Sequence, residues 1–202
     1  MEVQISLPRP AELVVRNGRK FSDKAYLDFW DANPDLRLER TAEGEIVIVP
    51  PVGYESDNQN AEVISQLHAW AKKDGRGRAS GATAQFFLPD GSALSPDAAW
   101  VSYAALSSLL PEELRRFPHL APEFVIEVMS PTDRLAAAKR KMEQWIANGV
   151  QLGWLIDGDH ETVYVYQPNR PVQTRKGILK LAGKGPVKGF TLQLRTIWQG
   201  LK

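Results

Sequence analysis

The sequence contains no cysteine. Disulfide frameworks, thiolate zinc sites and cysteine nucleophiles are therefore excluded, and the composition fits a reducing compartment. The first twenty residues lack the apolar segment of a secretion signal. No stretch approaches the ~20 apolar residues that a membrane helix needs. We expect a cytoplasmic protein with no membrane association.

Neither sign of charge is in large excess, because the formal net charge is +1. The distribution is uneven, however: residues 162–202 carry eight basic side chains and no acidic one, against 17 basic and 24 acidic side chains in the first 161 residues. The eight are Arg170, Arg175, Lys176, Lys180, Lys184, Lys188, Arg195 and Lys202. This asymmetry favours a polyanion-binding surface. Lysines that keep a sheet edge soluble would give the same composition.

The length of 202 residues predicts a single domain over 1–202, with 1–20 as a loose lead-in and 162–202 as basic C-terminal strands. Helical periodicity predicts helices over 22–33, 55–73 and 130–148, and a short helical segment at 103–117. Gly75 is expected to end the second of these helices, and Ser130, Thr132 or Asp133 to cap the helix at 130–148. Strands are predicted at 36–39, 45–49, 85–88, 97–101, 122–129, 151–156 and 162–166. This order predicts an α/β fold with one mixed β-sheet flanked by helices.

Glu127 lies in the most apolar of the predicted strands. Such a strand is buried on both faces, and alternation places Val125, Glu127 and Met129 on the same face. Burying an ionised carboxylate is costly unless a partner offsets the cost. A bound metal ion or a buried salt bridge would each do so.

Asp97 follows Pro96 at the start of another predicted strand. Two carboxylates that approach each other from adjacent strands repel, and a hard dication relieves that repulsion. Mg²⁺ prefers one or two carboxylates with waters and phosphate oxygens. An aspartate that simply marks the strand entry after a proline is the alternative interpretation.

The helix after Glu127 carries Lys139 and Lys141 on the borders of its apolar stripe. Either side chain could extend along the sheet and present its ammonium group at the sheet end. An ordinary solvated helix face is the alternative for both.

Several segments occur in an order and spacing that together are fairly specific. They are Ser95-Pro96-Asp97, Glu127-Val128-Met129-Ser130-Pro131-Thr132-Asp133, Lys141-x3-Trp145-x3-Gly149, Leu152-Gly153-Trp154-Leu155-Ile156-Asp157 and Asn58-Gln59-Asn60-Ala61-Glu62. Over roughly residues 20–200 the chain resembles the Uma-two family, a restriction-endonuclease branch of the PD-(D/E)XK nuclease superfamily. The resemblance implies a restriction-endonuclease-like PD-(D/E)XK core and a metal site, Mg²⁺ or Mn²⁺, formed by Asp97 and Glu127. It also implies a catalytic lysine.

The chain departs from the superfamily pattern at the lysine. The usual position is two residues after the glutamate, where this chain has Met129. In the family branch the lysine has moved to the following helix, and Lys141 matches that place. Without this migration the site would lack its cation.

The predicted helix at 55–73 offers an accessory residue. In the superfamily an acid of the first helix sometimes supports the metal. With Leu67 and Trp70 turned inward, Asn60 faces inward and Glu62 points roughly opposite, which favours Asn60. Alternatively, Asn60 satisfies a neighbouring backbone group.

The resemblance and these residues together suggest a metal-dependent endonuclease that hydrolyses DNA, for which a homodimer is a natural way to cut both strands. Two alternatives stay open: a catalytically inactive nucleic-acid-binding module on a nuclease fold, and a metal-dependent hydrolase with another substrate. The segment Asp157-Gly158-Asp159-His160 could suggest a second metal site, but Asp-Gly between two strands indicates a hairpin first.

Overall fold

The computed structural model describes residues 13–15 and 20–199. The rest of the predicted lead-in and the last three residues, with the basic Lys202, lie outside the described residues. Within the lead-in, Leu13–Val15 forms a strand, β1, that pairs antiparallel with β3 (Ile46–Ile48).

The helices are α1 (Asp23–Ala32), α2 (Tyr54–Asp74), α3 (Tyr103–Leu106), α4 (Pro111–Arg115), α5 (Leu135–Ala147) and α6 (Arg195–Gln199), with a 3₁₀ turn at Gly185–Val187. The remaining strands are β2 (Leu38–Arg40), β4 (Gly77–Gly81), β5 (Phe86–Phe87), β6 (Ala93–Leu94), β7 (Ala98–Ser102), β8 (Phe124–Val128), β9 (Leu152–Asp157), β10 (Thr162–Tyr166), β11 (Gln173–Lys176), β12 (Lys180–Ala182) and β13 (Thr191–Gln193).

The main sheet has six strands in the order β11-β10-β9-β8-β7-β4. β8 and β9 are parallel and every other pair in this sheet is antiparallel. One face packs on α2 through Val63 and Leu67, and the other packs on α5 through Met142 and Trp145. The predicted α/β fold, a mixed sheet flanked by helices, is confirmed.

The strands before β7, except β4, form a separate antiparallel sheet in the order β1-β3-β2-β6-β5, which packs against α1. The expectation of one sheet was incomplete. Pro96 has no N–H to donate between β6 and β7, and it separates the two sheets at that point. β4 was missed because its sequence, Gly-Arg-Ala-Ser-Gly, has little intrinsic preference for a strand.

Helix α2 ends as expected at Gly75, which adopts a left-handed conformation with φ of 71°. Helix α5 instead begins at Leu135, five residues later than predicted, so the expected caps at Ser130, Thr132 or Asp133 were wrong. The Asp133 carboxylate accepts the Ser130 backbone N–H at 2.7 Å. This bond closes a turn and keeps the segment outside the helix.

The basic C-terminal segment contributes to the main core on its apolar side. Phe190, Leu192, Leu194 and Ile197 are buried against the α2 face, whereas most of the basic residues are exposed. Among residues 13–15 and 20–199, no helix is both long enough and apolar enough to cross a membrane.

Candidate functional site

The two predicted carboxylates meet on adjacent strands. β7 and β8 are paired so that Ala98 lies opposite Ile126, and one further step along this register brings Asp97 opposite Glu127. Asp97 Oδ2 accepts the Val128 backbone N–H at 2.8 Å. Asp97 is therefore fixed to the strand that carries Glu127.

Glu127 is buried in the middle of β8 and faces α5. Trp145 Nε1 donates a hydrogen bond of 2.7 Å to Glu127 Oε1. Lys141 Nζ lies 3.2 Å from the same oxygen. Within the described residues, both close contacts are made to Oε1, which leaves Oε2 for a further ligand.

Lys141 reaches the end of the sheet from the middle of α5. Its ammonium group contacts three oxygens: Glu127 Oε1, Glu39 Oε1 at 3.1 Å and the Ser95 carbonyl at 3.2 Å. The side chain as a whole keeps 29% of its surface exposed. Lys139 does not join this group, because its Nζ lies 4.4 Å from the centre of the Tyr164 ring.

Glu39 is a site residue that sequence reasoning missed. In β2, Leu38 and Arg40 are buried on one side, and alternation turns Glu39 towards Lys141 on the other side. Glu39 Oε1 also accepts the Ser95 backbone N–H at 3.0 Å. Only the packing of the second sheet against α5 brings Glu39 here, and no spacing in the sequence indicates it.

Asn60 and Glu62 of α2 point in different directions. Asn60 Nδ2 donates to Asp97 Oδ1 at 3.2 Å. Glu62 Oε1 instead accepts hydrogen bonds from Gln66 and from Thr196 of α6, away from the two carboxylates.

Burial governs the electrostatics of the site. It raises the pKa of Glu127 to about 7, and the charges of Asp97 and Glu39 act in the same direction against the opposing effect of Lys141. Burial likewise raises the pKa of Asp97, opposed by the Val128 N–H and by Lys141. The three carboxylates raise the pKa of Lys141 despite its burial, so Lys141 is a fixed cation.

The donor set fits a hard dication. When all three carboxylates are ionised, they and the Lys141 ammonium carry a net charge of −2. Arg37, which lowers the pKa of Asp97, offsets part of this negative charge. Asn60 Oδ1 is buried and has no hydrogen-bond partner in the described part of the chain. No three Asp, Glu or His side chains there converge closely enough to hold an ion unaided. Asp97 and Glu127 would provide two oxygens, with water and substrate completing the shell, as is usual for Mg²⁺.

Met129 occupies the position of the usual superfamily lysine. It lies two residues beyond Glu127 on the same face and packs against the α5 side of the core. Its backbone N–H donates to the Ile156 carbonyl at 2.8 Å and continues the pairing of β8 with β9. Beyond it opens a cleft of about 420 Å³.

The fold is thus a mixed α/β sheet flanked by helices, with Asp97, Glu127 and Lys141 together at one end of the main sheet. The sequence of residues 24–195 matches the Uma2 (Uma-two) family, described as "Putative restriction endonuclease", and the chain belongs to this family. The resemblance inferred from the sequence is confirmed.

A crystal structure described as "a putative nuclease belonging to DUF820", from Anabaena variabilis, has the same fold. The TM-score is 0.66 at 22% sequence identity, and the match covers 82% of this chain and 91% of that chain. No curated protein matches the sequence.

Proposed function

We propose that this protein is a Mg²⁺- or Mn²⁺-dependent endonuclease that hydrolyses phosphodiester bonds in DNA. The observation that best supports this function is the convergence of Asp97, Glu127 and Lys141 at one end of the main sheet. Membership of a restriction-endonuclease family points to the same substrate.

Asp97 and Glu127 are the proposed metal ligands. A bound dication would make a coordinated water more nucleophilic and would neutralise negative charge on the phosphate and the leaving oxygen. Trp145 holds Glu127 Oε1, and the Val128 N–H holds Asp97 Oδ2, so each carboxylate keeps one oxygen in a fixed orientation.

Lys141 provides fixed positive charge where the phosphate becomes more negative in the transition state. Glu39 and the Ser95 carbonyl, together with Glu127, hold its ammonium group in place. In this arrangement Glu39 is a positioning residue. The lysine acts from α5, so Met129 on β8 does not deprive the site of its cation.

Plasmid cleavage by the purified protein tests this function, with Mg²⁺, Mn²⁺ or EDTA. The variants are Asp97→Asn, Glu127→Gln and Lys141→Gln. Two residues of α5 provide the matched controls. Glu143→Gln is the carboxylate control and Arg140→Gln the cation control, because both side chains are exposed. We expect metal-dependent nicking or linearisation by the wild type and both controls. Linear product without a nicked intermediate would support a homodimer that cuts both strands.

We expect no cleavage by the carboxylate variants and a rate reduced about a hundredfold or more by Lys141→Gln. Thermal melts verify that each variant is folded. If Lys141→Gln cleaves like the wild type, Lys139→Gln shows whether that residue provides the cation instead. If the wild type binds DNA but cleaves neither DNA nor RNA with any metal, the protein is an inactive binding module. Metal-dependent activity on another ester alone would make it a different hydrolase.

A further inference from the structure

The cleft beside Met129 has no part in the function proposed above. It lies between the loop leading into α5 and the hairpin that joins β9 to β10. Met129, Leu135 and Tyr164 form an apolar wall, and the hydroxyls of Ser130 and Thr174 also line it. Met129 is two strand residues from Glu127, so the Cα atoms of these two residues lie about 7 Å apart.

An oriented histidine lies at the mouth of the cleft. Asp157, at the end of β9, has a buried side chain, and both its oxygens lie 2.9 Å from His160 Nδ1. The His160 backbone N–H also donates to Asp157 Oδ1 at 3.1 Å. The side chain of His160 is 75% exposed. With Nδ1 engaged by Asp157, Nε2 is the nitrogen available to a ligand.

The hairpin loop that carries His160 is braced against α2. A Cβ on Gly158 would lie 2.8 Å from Gln59 Nε2, so the loop closely approaches the end of the Gln59 side chain. Gln59 in turn donates to the Ile197 carbonyl at 3.2 Å. The loop and its histidine are therefore placed relative to the end of the main sheet by packing.

Lys176 lines the same cleft from the edge strand β11. It is paired with Thr162 of β10, which lies next to the hairpin loop. Two acidic groups of the cleft already have partners: Asp133 holds the Ser130 N–H, and Asp157 holds His160. Asp159 is exposed at the rim. Lys176 and His160 are thus the groups through which the cleft can contact an anion.

We infer that this cleft binds the nucleotide adjoining the scissile phosphate, with the Lys176 ammonium donating to the phosphodiester oxygens and the apolar wall contacting the sugar and base. His160 Nε2 donates to the same oxygens when both ring nitrogens carry a proton. The inference rests on the proposed endonuclease function, because it takes the cleaved strand to pass from Glu127 along Met129 into the cleft. Asp157 is a positioning residue that acts through His160.

Binding without cleavage tests the subsite. A fluorescently labelled dodecadeoxynucleotide, single-stranded or as a duplex, is titrated in EDTA and followed by anisotropy between 50 and 200 mM salt. The variants are Lys176→Gln, His160→Gln and Asp159→Asn. Lys72→Gln is the control, because it removes an exposed lysine in the last turn of α2, at the far end from Asn60 and the site. Imidazole NMR signals give a second readout, since the chain has three histidines.

We expect Lys176→Gln and His160→Gln each to weaken binding several-fold. Because Lys176→Gln loses one phosphate contact, the negative slope of the logarithm of the association constant against the logarithm of salt concentration should become less steep by about 0.7–0.9. Asp159→Asn should tighten binding, because it removes a like charge beside the phosphate. The His160 ring signals should shift with the oligonucleotide, and those of His68 should not.

The subsite is overturned if Lys176→Gln and His160→Gln bind as Lys72→Gln does, or if the wild type binds neither oligonucleotide. Metal-dependent cleavage that needs Asp97 and Glu127 would then leave the proposed function standing without the subsite. Conversely, if the wild type never cleaves but both variants bind the oligonucleotide more weakly, the subsite stands and the endonuclease function is refuted.

Discussion

Replacing Glu127 with glutamine should remove a pH dependence of stability that the metal-free protein carries. Burial raises the pKa of Glu127 from 4.5 to about 7, so between these values the folded state binds a proton that the unfolded chain has released. Stability is then fully present below pH 4.5 and is lost as pH rises through 7. At about 1.4 kcal/mol for each unit, the loss between pH 5 and pH 8 is about 2 to 3 kcal/mol. Asp97, whose pKa is also raised, contributes with the same sign.

Urea unfolding in EDTA at pH 5 and pH 8 measures this loss. With a slope of about 2 kcal/mol per molar urea, the wild-type midpoint should fall by about 1 M between the two pH values. Glu127→Gln should lose most of that difference, because the amide does not ionise and no longer repels Asp97. Any titration that the two proteins share cancels in the comparison. The exposed control Glu143→Gln should behave as the wild type does.

Added Mg²⁺ extends the same measurement. At pH 8 it should restore stability to the wild type, by about 1.4 kcal/mol at ten times its dissociation constant, and should leave Glu127→Gln largely unchanged. A wild type and a Glu127→Gln variant that lose equal stability between pH 5 and pH 8 would refute the argument that burial of this carboxylate sets its pKa.

Three further outcomes are expected. Trp145→Phe should lower the free energy of unfolding by about 2 kcal/mol, because Glu127 loses a charge-assisted hydrogen bond; an unchanged urea midpoint would contradict this. Glu39→Gln should slow cleavage about tenfold while Mg²⁺ binding, followed by calorimetry, is retained; lost Mg²⁺ binding would make Glu39 a ligand instead. Gly77→Ala should destabilise the protein by about 2 kcal/mol in urea, since its Cβ would clash with the Val101 backbone oxygen of the neighbouring strand, and a neutral effect would contradict that packing.

The elements that the sequence predicted well have strong local signals. Helix α1 begins after Ser22, whose hydroxyl accepts the Ala25 N–H, and the hairpin of β9 and β10 spans its Asp-Gly turn as expected. Strand β8 is buried along its whole length. The start of α5 was misjudged because three polar residues offered plausible caps, and the bond from Ser130 to Asp133 diverts the backbone before any of them can act.

The site was predictable only where its residues belong to one strand or one helix face. Glu127 stood out because an acid inside an apolar strand requires an explanation. Glu39 had no comparable signal. It is a polar residue in a short hairpin strand, where a polar side chain is ordinarily expected to be exposed to solvent. Its role depends on a second sheet docking near α5, and a contact across 102 residues of chain, from Glu39 to Lys141, leaves no local pattern.

The position of the lysine on α5 rather than on β8 can be understood from where each of these two elements places its side chains. A lysine at position 129 would start from β8 beside Glu127, and its ammonium would have to reach back along the strand towards Asp97. Lys141 instead starts from α5, which packs on one face of the sheet, and contacts both Glu127 and Glu39. Because the lysine is on α5, position 129 can be a methionine that forms part of the apolar wall of the adjoining cleft. A lysine returned to position 129 would place a charge on that wall. The variant Met129→Lys combined with Lys141→Met therefore should not restore the wild-type site, even though it recreates the usual spacing.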